Sequence, residues 1–237
     1  MRLPLRQIAV YGRLGRISNL PTVWTNTLTG VVLAGGSLQE AGLPALLAAF
    51  TLFYTGGMFL NDAFDRDIDR RQRPDRPIPS GLVQHDTVFA MGFGMLLFGI
   101  ATVAAVGFEQ GPRAVAYAVL LASAIILYDA HHKQNRYSPW IMGLCRALLY
   151  VTAAAAITGR AGLPVLAGAA VLFSYVVGLT YVAKRGSTAA VTVARGIAGI
   201  SLLDGLLMAQ RGAWTATGLA VAAFFLTRRW QRTVQGT

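Results

Sequence analysis

Residues 61–69 read NDAFDRDID, and residues 62–76 hold Asp62, Asp65, Asp67, Asp69 and Asp75, half of the chain's ten acidic residues, with five arginines among them. On a helix turning about 100° per residue, Asp62, Asp65 and Asp69 fall within about 60° of one another, and Asp67 points to the far side. Three carboxylates on one face repel each other unless cations lie between them. The residues alone allow two readings. One is a magnesium site: Mg²⁺ takes a few carboxylates and completes its octahedron with waters and substrate phosphates, which suits a metal-bridged diphosphate. The other is a solvated, charge-balanced loop of alternating Asp and Arg. A calcium loop of the EF-hand kind is excluded, because Arg70 stands where Gly is required and Arg76 where the closing Glu is required. The Asp-Gly and Ala-Arg continuation of a CDP-alcohol phosphotransferase is absent as well.

The elements that position this cluster read as membrane spans. Of 237 residues 54% are hydrophobic and 13% charged, against about 25% charged in a soluble domain. Eight apolar stretches approach the roughly 20 residues of a span: 19–37, 42–61, 86–108, 112–130, 140–159, 162–183, 188–209 and 213–229. With the N-terminus inside, sixteen of the 21 Lys and Arg fall on the cytoplasmic side, three on the opposite side, and Arg146 and Arg195 within spans. The chemistry is therefore expected to face the cytoplasm from an inner membrane. The first seventeen residues carry four arginines and no long apolar core. They read as an interfacial amphipathic segment and not a secretory signal, within a single domain over 1–237. The net charge of +11 reflects arginines flanking spans, so no nucleic-acid partner is expected. The single cysteine, Cys145, excludes an internal disulfide.

Ionisable residues inside spans are costly and usually face an interior cavity. Arg146 and Arg195 each sit about two turns into their spans, where they reach an anionic substrate group or snorkel to headgroups. Asp204 lies nine residues from Arg195, half a rotation away, so the two are poor partners. Asn26 is a polar cavity group or an interhelical hydrogen bonder. His131 and His132 read as solvated loop residues, and the glycines and alanines of GGMF and AAAAITG read as close helix packing.

NDAFDRDID followed by RPDRPIPSG resembles the first aspartate-rich motif of the UbiA superfamily of intramembrane prenyltransferases. RISNLPTVWTNTLTG upstream, and LYDAHHK and PWIMG downstream, extend the resemblance over most of residues 13–209. The resemblance implies an all-α bundle of about eight transmembrane helices around a central cavity open to the cytoplasm and to lipid. It implies a Mg²⁺-dependent enzyme moving an isoprenyl group from its diphosphate to a lipophilic, often aromatic acceptor. Asp62, Asp65 and Asp69 would hold metal, supported by Asn61, with Arg76 and Lys133 on phosphate; Arg146, Arg195 and Asn26 are further substrate-binding candidates. The family's second aspartate-rich motif is absent: the loop after span 6 reads GLTYVAKRGST. Tyr181, Lys184 and Arg185 stand where its ligands are expected, with Lys184 and Arg185 as fixed cations in place of a metal. This departure resembles an EboC-like branch. A non-catalytic relative that binds or carries a polyprenyl lipid is the alternative function.

Overall fold

The computed structural model describes residues 9–133, 135–184 and 190–233, and these form helices with no strand among the described residues. The helices are α1 (Leu20–Leu33), α2 (Leu43–Phe64), α3 (Arg66–Gln72), α4 (His85–Val106), α5 (Arg113–His131), α6 (Ser138–Thr158), α7 (Leu163–Ala183), α8 (Ala190–Ala209) and α9 (Trp214–Trp230). Pro21, Pro44, Pro139 and Pro164 open α1, α2, α6 and α7, where a missing N–H costs no helical hydrogen bond. At the other end of α6, Gly159 takes φ +73 and donates its N–H to Ala155, stopping the helix.

Eight long helices thus occupy the eight expected stretches. Six of them, α2 and α4 to α8, are long and apolar enough to cross a membrane; 22 residues of α2 or α4 extend about 33 Å against a hydrocarbon core of about 30 Å. The chain is an integral, multi-pass membrane protein. The other two are shorter: α9 has 17 residues and α1 only 14. The expected first span ran to residue 37, but α1 ends at Leu33, ahead of Gly35 at φ +87.

Short as it is, α1 forms the axis of the bundle. All its residues except Trp24 are buried, and it packs against α2, α6, α7, α8 and α9. A helix enclosed on all sides has no polar stripe to show, so its polar side chains must be satisfied locally. Thr22 donates to Asn19 O, Thr25 to Thr22 O, Thr27 to Val23 O and Thr29 to Thr25 O, at 2.8–3.1 Å. Small residues let the helices close up, as expected for GGMF and AAAAITG. A Cβ on Gly56 would stand 2.9 Å from Gly92 O of α4, and one on Gly57 2.9 Å from Ile125 of α5. At Gly30 a Cβ would meet main chain, 2.7 Å from Tyr150 O and 2.8 Å from Tyr150 Cα. Backbone cannot rotate away. Gly30→Ala is therefore expected to cost about 1–3 kcal/mol through overpacking, measured as denaturant or thermal unfolding in detergent. Gly94→Ala, with nothing within 4 Å, should be neutral or slightly stabilising. Equal effects at the two sites would refute this account of the α1–α6 contact.

The segment before α1 was expected on the membrane surface. Its described part buries one apolar face on the bundle: Val10 and Leu14 are buried with Phe59, Ala63, Ile78 and Val88. This anchorage against α2 seats Arg16 beside the aspartate-rich segment.

Candidate functional site

The last turn of α2 presents Asn61 and Asp62. The helix is interrupted at Asp65 and resumes as α3, which displays Asp69. Asp62, Asp65 and Asp69 are buried, at 8%, 5% and 2% exposure, whereas the Asp67 side chain is 83% exposed. Carboxylates at the C-terminal end of a helix face the negative pole of its dipole, so they need countercharge. Arg76 supplies part of it. The prolines after α3 end the helix, and a turn closed by Arg76 N–H to Arg73 O sends the side chain back. Its Nη1 then lies 2.6 Å from Asp69 Oδ2 and 3.2 Å from Asp62 Oδ1. Lys133, just past α5, places Nζ 3.0 Å from Asp65 Oδ2 and 3.8 Å from Asp69 Oδ1.

Arg16 completes the set. Its Nη2 donates to Asn61 Oδ1 at 3.1 Å and lies 3.4 Å from Asp62 Oδ1. The residue sits at φ 44, ψ 47, a left-handed conformation that costs a non-glycine residue about 1–2 kcal/mol. Such strain persists where surroundings impose it, and it clusters at functional sites. Asn61 Nδ2 in turn donates to Asp129 Oδ1 on α5 at 3.2 Å, leaving Asp129 Oδ2 buried without a partner among the described residues. His132 stacks on Tyr128 and approaches Asp65 at 3.6 Å. Burial pulls its imidazole below the usual pKa even with Asp65 beside it. That favours the uncharged imidazole, and Lys133, with Nζ 3.0 Å from Asp65 Oδ2, is the closer cation.

Arg16, Asn61, Asp65, Asp69, Arg76 and Lys133 line a polar cavity of about 230 Å³, and Asp62 faces the neighbouring opening between Arg16 and Arg76. Met58, Tyr128 and Met142 form its inner wall and also line an apolar chamber of about 80 Å³ with Phe53, Tyr54, Leu121 and Ile125. Arg146 of α6 enters that chamber and donates Nη1 to Asn26 Oδ1 (2.9 Å) and Thr22 Oγ1 (3.2 Å) of α1. Asn26 Nδ2 donates to both oxygens of Asp204 on α8, at 3.1 and 2.9 Å, and Tyr150 OH donates to Asp204 Oδ1.

The UbiA prenyltransferase family profile matches residues 23–237. The chain belongs to the UbiA prenyltransferase family. It is 32% identical over 119 residues to a digeranylgeranylglyceryl phosphate synthase of Methanothrix thermoacetophila, covering 50% of this chain and 43% of that one. The corresponding figures for the Methanoregula boonei protein of the same name are 34% over 110 residues, 46% and 38%. The chain thus spans less than half the length of these curated relatives. The fold is shared with a structure from work on the biosynthesis of digeranylgeranylglyceryl phosphate synthase in membranes (TM-score 0.61, 16% identity, 94% of this chain and 95% of that one). It is shared too with a UbiA homolog from Archaeoglobus fulgidus bound to DMAPP and Mg²⁺ (TM-score 0.59, 14% identity, 95% and 86%).

Among the sequence candidates of this UbiA chain, the fold brings together Asn61, Asp62, Asp65, Asp69, Arg76 and Lys133. Arg146 and Asn26 lie deeper, in the chamber wall and the polar chain behind it. Tyr181 and Lys184 are not brought to the cavity: Tyr181 OH accepts from Trp140 Nε1 at 3.1 Å, and Lys184 Nζ donates to Asn135 O at 3.0 Å. Arg195 is exposed on α8, and Arg185 lies outside the described residues. Arg16, Asp129 and His132 were not expected at the mouth. Asp129 had a signal, as a carboxylate at the end of an apolar run; His132, expected in solvent, is half-buried.

As to magnesium, no three acidic or histidine side chains form a ready-made cage among the described residues. The donor set nevertheless fits. The carboxylates of Asp62, Asp65 and Asp69 are all hard oxygen, and Mg²⁺ is commonly held through one or two carboxylates plus water and substrate phosphate.

Proposed function

We propose that this chain is an intramembrane prenyltransferase that moves an isoprenyl group from an isoprenyl diphosphate to a lipophilic acceptor, with Mg²⁺ as cofactor. The observation that carries the reading is the direct adjoining of the polar cavity and the apolar chamber across Met58, Tyr128 and Met142. One compartment suits a diphosphate, the other the carbon it leaves. The name of the curated relatives, and the DMAPP and Mg²⁺ bound to the A. fulgidus homolog, support the same reaction class.

In this reading Asp62, Asp65 and Asp69 hold the metal, with Asn61 fixed between Arg16 and Asp129 to support them. Bound Mg²⁺ supplies positive charge to the departing diphosphate. Arg16, Arg76 and Lys133, paired here with carboxylates, turn their N–H groups to diphosphate oxygens. The allylic C1–O bond breaks with its electron pair on the diphosphate. An electron pair of the acceptor closes the new bond to C1, and the acceptor loses a proton. The apolar chamber keeps water from the allylic cation, and Tyr128 offers it a ring face at the junction. The arginine-rich mouth faces the cytoplasm of an inner membrane by its positive charge, and the bundle acts as one unit.

The acid-free loop after α7 and the absence of a ready-made cage among the described residues favour the second reading, a lipid-binding relative without catalysis. Labelled geranylgeranyl diphosphate, Mg²⁺ and a panel of lipophilic acceptors, incubated with the protein in nanodiscs, separate the two. Transfer that stops on chelation supports the enzyme; retained binding without diphosphate release for any acceptor supports the carrier.

The cations make a sharper distinction. Lys133→Ala should weaken prenyl-diphosphate binding about ten- to hundredfold, the loss of one charge-assisted contact. Lys184→Ala, which removes a contact to Asn135 O outside the cavity, should change it less than about twofold. The reverse order, in equilibrium binding, would move the anion site to the end of α7.

A further inference from the structure

We propose that Asp129 is a catalytic residue: its free carboxylate oxygen, Oδ2, takes the hydroxyl proton that the acceptor gives up as it is prenylated. This rests on the prenyltransferase reading and assigns that reaction's proton a destination.

Asp129 lies in the last turn of α5 and is 3% exposed. Its two oxygens have different surroundings. Oδ1 accepts from Asn61 Nδ2 at 3.2 Å, whereas Oδ2 has no hydrogen-bond partner among the described residues. The difference originates on α2, where Gly57 and Asn61 stand one turn apart on the same face. Asn61 reaches across and fixes Oδ1. Gly57 has no side chain to cover Oδ2, and a Cβ there would stand 4.0 Å from that oxygen. Gly57 and Asp129 both line the apolar chamber, next to Tyr128 at its junction with the polar cavity. A buried polar atom left without a hydrogen bond costs about 1–3 kcal/mol, and native proteins hold few of them. The hydroxyl of an acceptor seated in the chamber supplies the missing donor.

Placement separates this carboxylate from the three at the mouth. Asp65 and Asp69 line the polar cavity, while Asp129 lines the chamber. Arg16, Arg76 and Lys133 pair with Asp62, Asp65 and Asp69, and Asp129 forms no ion pair among the described residues. An oxygen with no bond to give up accepts a proton directly. The acceptor O–H donates to Oδ2, and the donor's C1–O bond breaks with its electron pair on the diphosphate. An electron pair of the acceptor then closes the bond to C1, and the O–H bond breaks with its proton passing to Oδ2. The positive charge at C1 and the negative charge of the carboxylate are thus consumed together. Water is kept from the chamber, so the proton needs a protein group. Asp129 also borders an opening of about 260 Å³ with Asp65, His131, His132 and Lys133, the way out for the proton after transfer.

Asp129→Asn tests the assignment, because the amide oxygen keeps the bond from Asn61 while the base is lost. The full chain in nanodiscs receives Mg²⁺ and geranylgeranyl diphosphate labelled with heavy oxygen at the bridge to C1. The acceptor probes are a glyceryl phosphate ether lipid with one geranylgeranyl chain and 4-hydroxybenzoate. Breaking and re-forming the C1–O bond scrambles the label among the phosphate oxygens, so scrambling reports ionisation apart from transfer. Transfer should fall about 10²–10⁴-fold, the contribution of a general base, with scrambling and prenyl-diphosphate binding retained. Asp129→Ala leaves room for a small carboxylate, and formate should restore part of its transfer where formamide does not. Transfer by Asp129→Asn within about threefold of wild type overturns the proposal. So does loss of scrambling together with transfer, which would make Asp129 part of the ionising site. Rescue by formamide as readily as by formate overturns it too. Failure of the prenyltransferase reading is distinct: there, wild type shows neither scrambling nor transfer.

Discussion

Alanine at Asp62 or at Asp65 is expected to lower prenyl transfer by at least about a thousandfold while the protein stays folded. The fall follows from charge. Groups aimed at the charge that develops on a leaving group are each worth about 10²–10³ in turnover, and here a lost carboxylate also loosens the metal. Folding should survive, because neither substitution strands a partner. Without Asp62, Arg76 keeps Asp69 at 2.6 Å and Arg16 keeps Asn61 at 3.1 Å. Without Asp65, Lys133 remains 3.8 Å from Asp69. Carboxylates crowded at the negative pole of α2 also repel one another in the metal-free protein, so thermal unfolding in detergent should shift little, or upward. Mn²⁺ binding followed by electron paramagnetic resonance supplies a readout independent of turnover, and it should weaken in both variants. Asp67→Ala is the matched control, since that side chain is 83% exposed and its one ion pair among the described residues is with Arg66 at 4.0 Å. Activity retained in both Asp62→Ala and Asp65→Ala would remove the metal-site assignment.

What was legible in the sequence was local. A 3.6-residue period separates Asp62, Asp65 and Asp69 from Asp67 without knowledge of any other helix, and apolar runs mark the long helices because the bilayer fixes their length. What escaped depends on chain distance. Arg16 reaches Asn61 across 45 residues and Asn61 reaches Asp129 across 68, and no spacing rule connects them. Asp204 shows the same limit: its nearest intramembrane cation along the chain, Arg195, points to the surface, and its partner Asn26 is 178 residues away. Lys184 illustrates the opposite limit. Its charge suits a diphosphate, but the way α7 ends against the segment before α6 gives it to Asn135 O. Hydropathy likewise reports composition and not where a helix stops, so the axial helix proved shorter than its apolar stretch.

Asn26→Leu should be the most destabilising of these substitutions, at about 3–5 kcal/mol. Its amide is the only hydrogen-bonded link, among the described residues, between the Arg146 guanidinium and the Asp204 carboxyl group. Leucine fills the space while breaking both sides of that link. If only hydrogen bonds mattered, the loss would be small, because interhelical hydrogen bonds in membranes average about 0.6 kcal/mol and reach about 1.7. Leaving a buried polar group with its hydrogen bond unmade costs about 1–3 kcal/mol for each group and more where the group is charged, and Asn26→Leu leaves one on each side. Thr27 sets the scale, since its hydroxyl bonds only Val23 O of its own helix, and Thr27→Val should stay below about 1 kcal/mol. Equilibrium unfolding in mixed micelles decides between the two accounts, and a loss under about 1.5 kcal/mol for Asn26→Leu would rule out charge isolation. A double substitution supplies the stricter check. Asp204→Leu in the Asn26→Leu background removes the stranded carboxylate, so the two losses should sum to clearly more than the double variant loses. Strict additivity would mean that Asn26 and Asp204 stabilise the bundle independently, with no bridge between α1, α6 and α8 to hold Arg146 at the chamber wall.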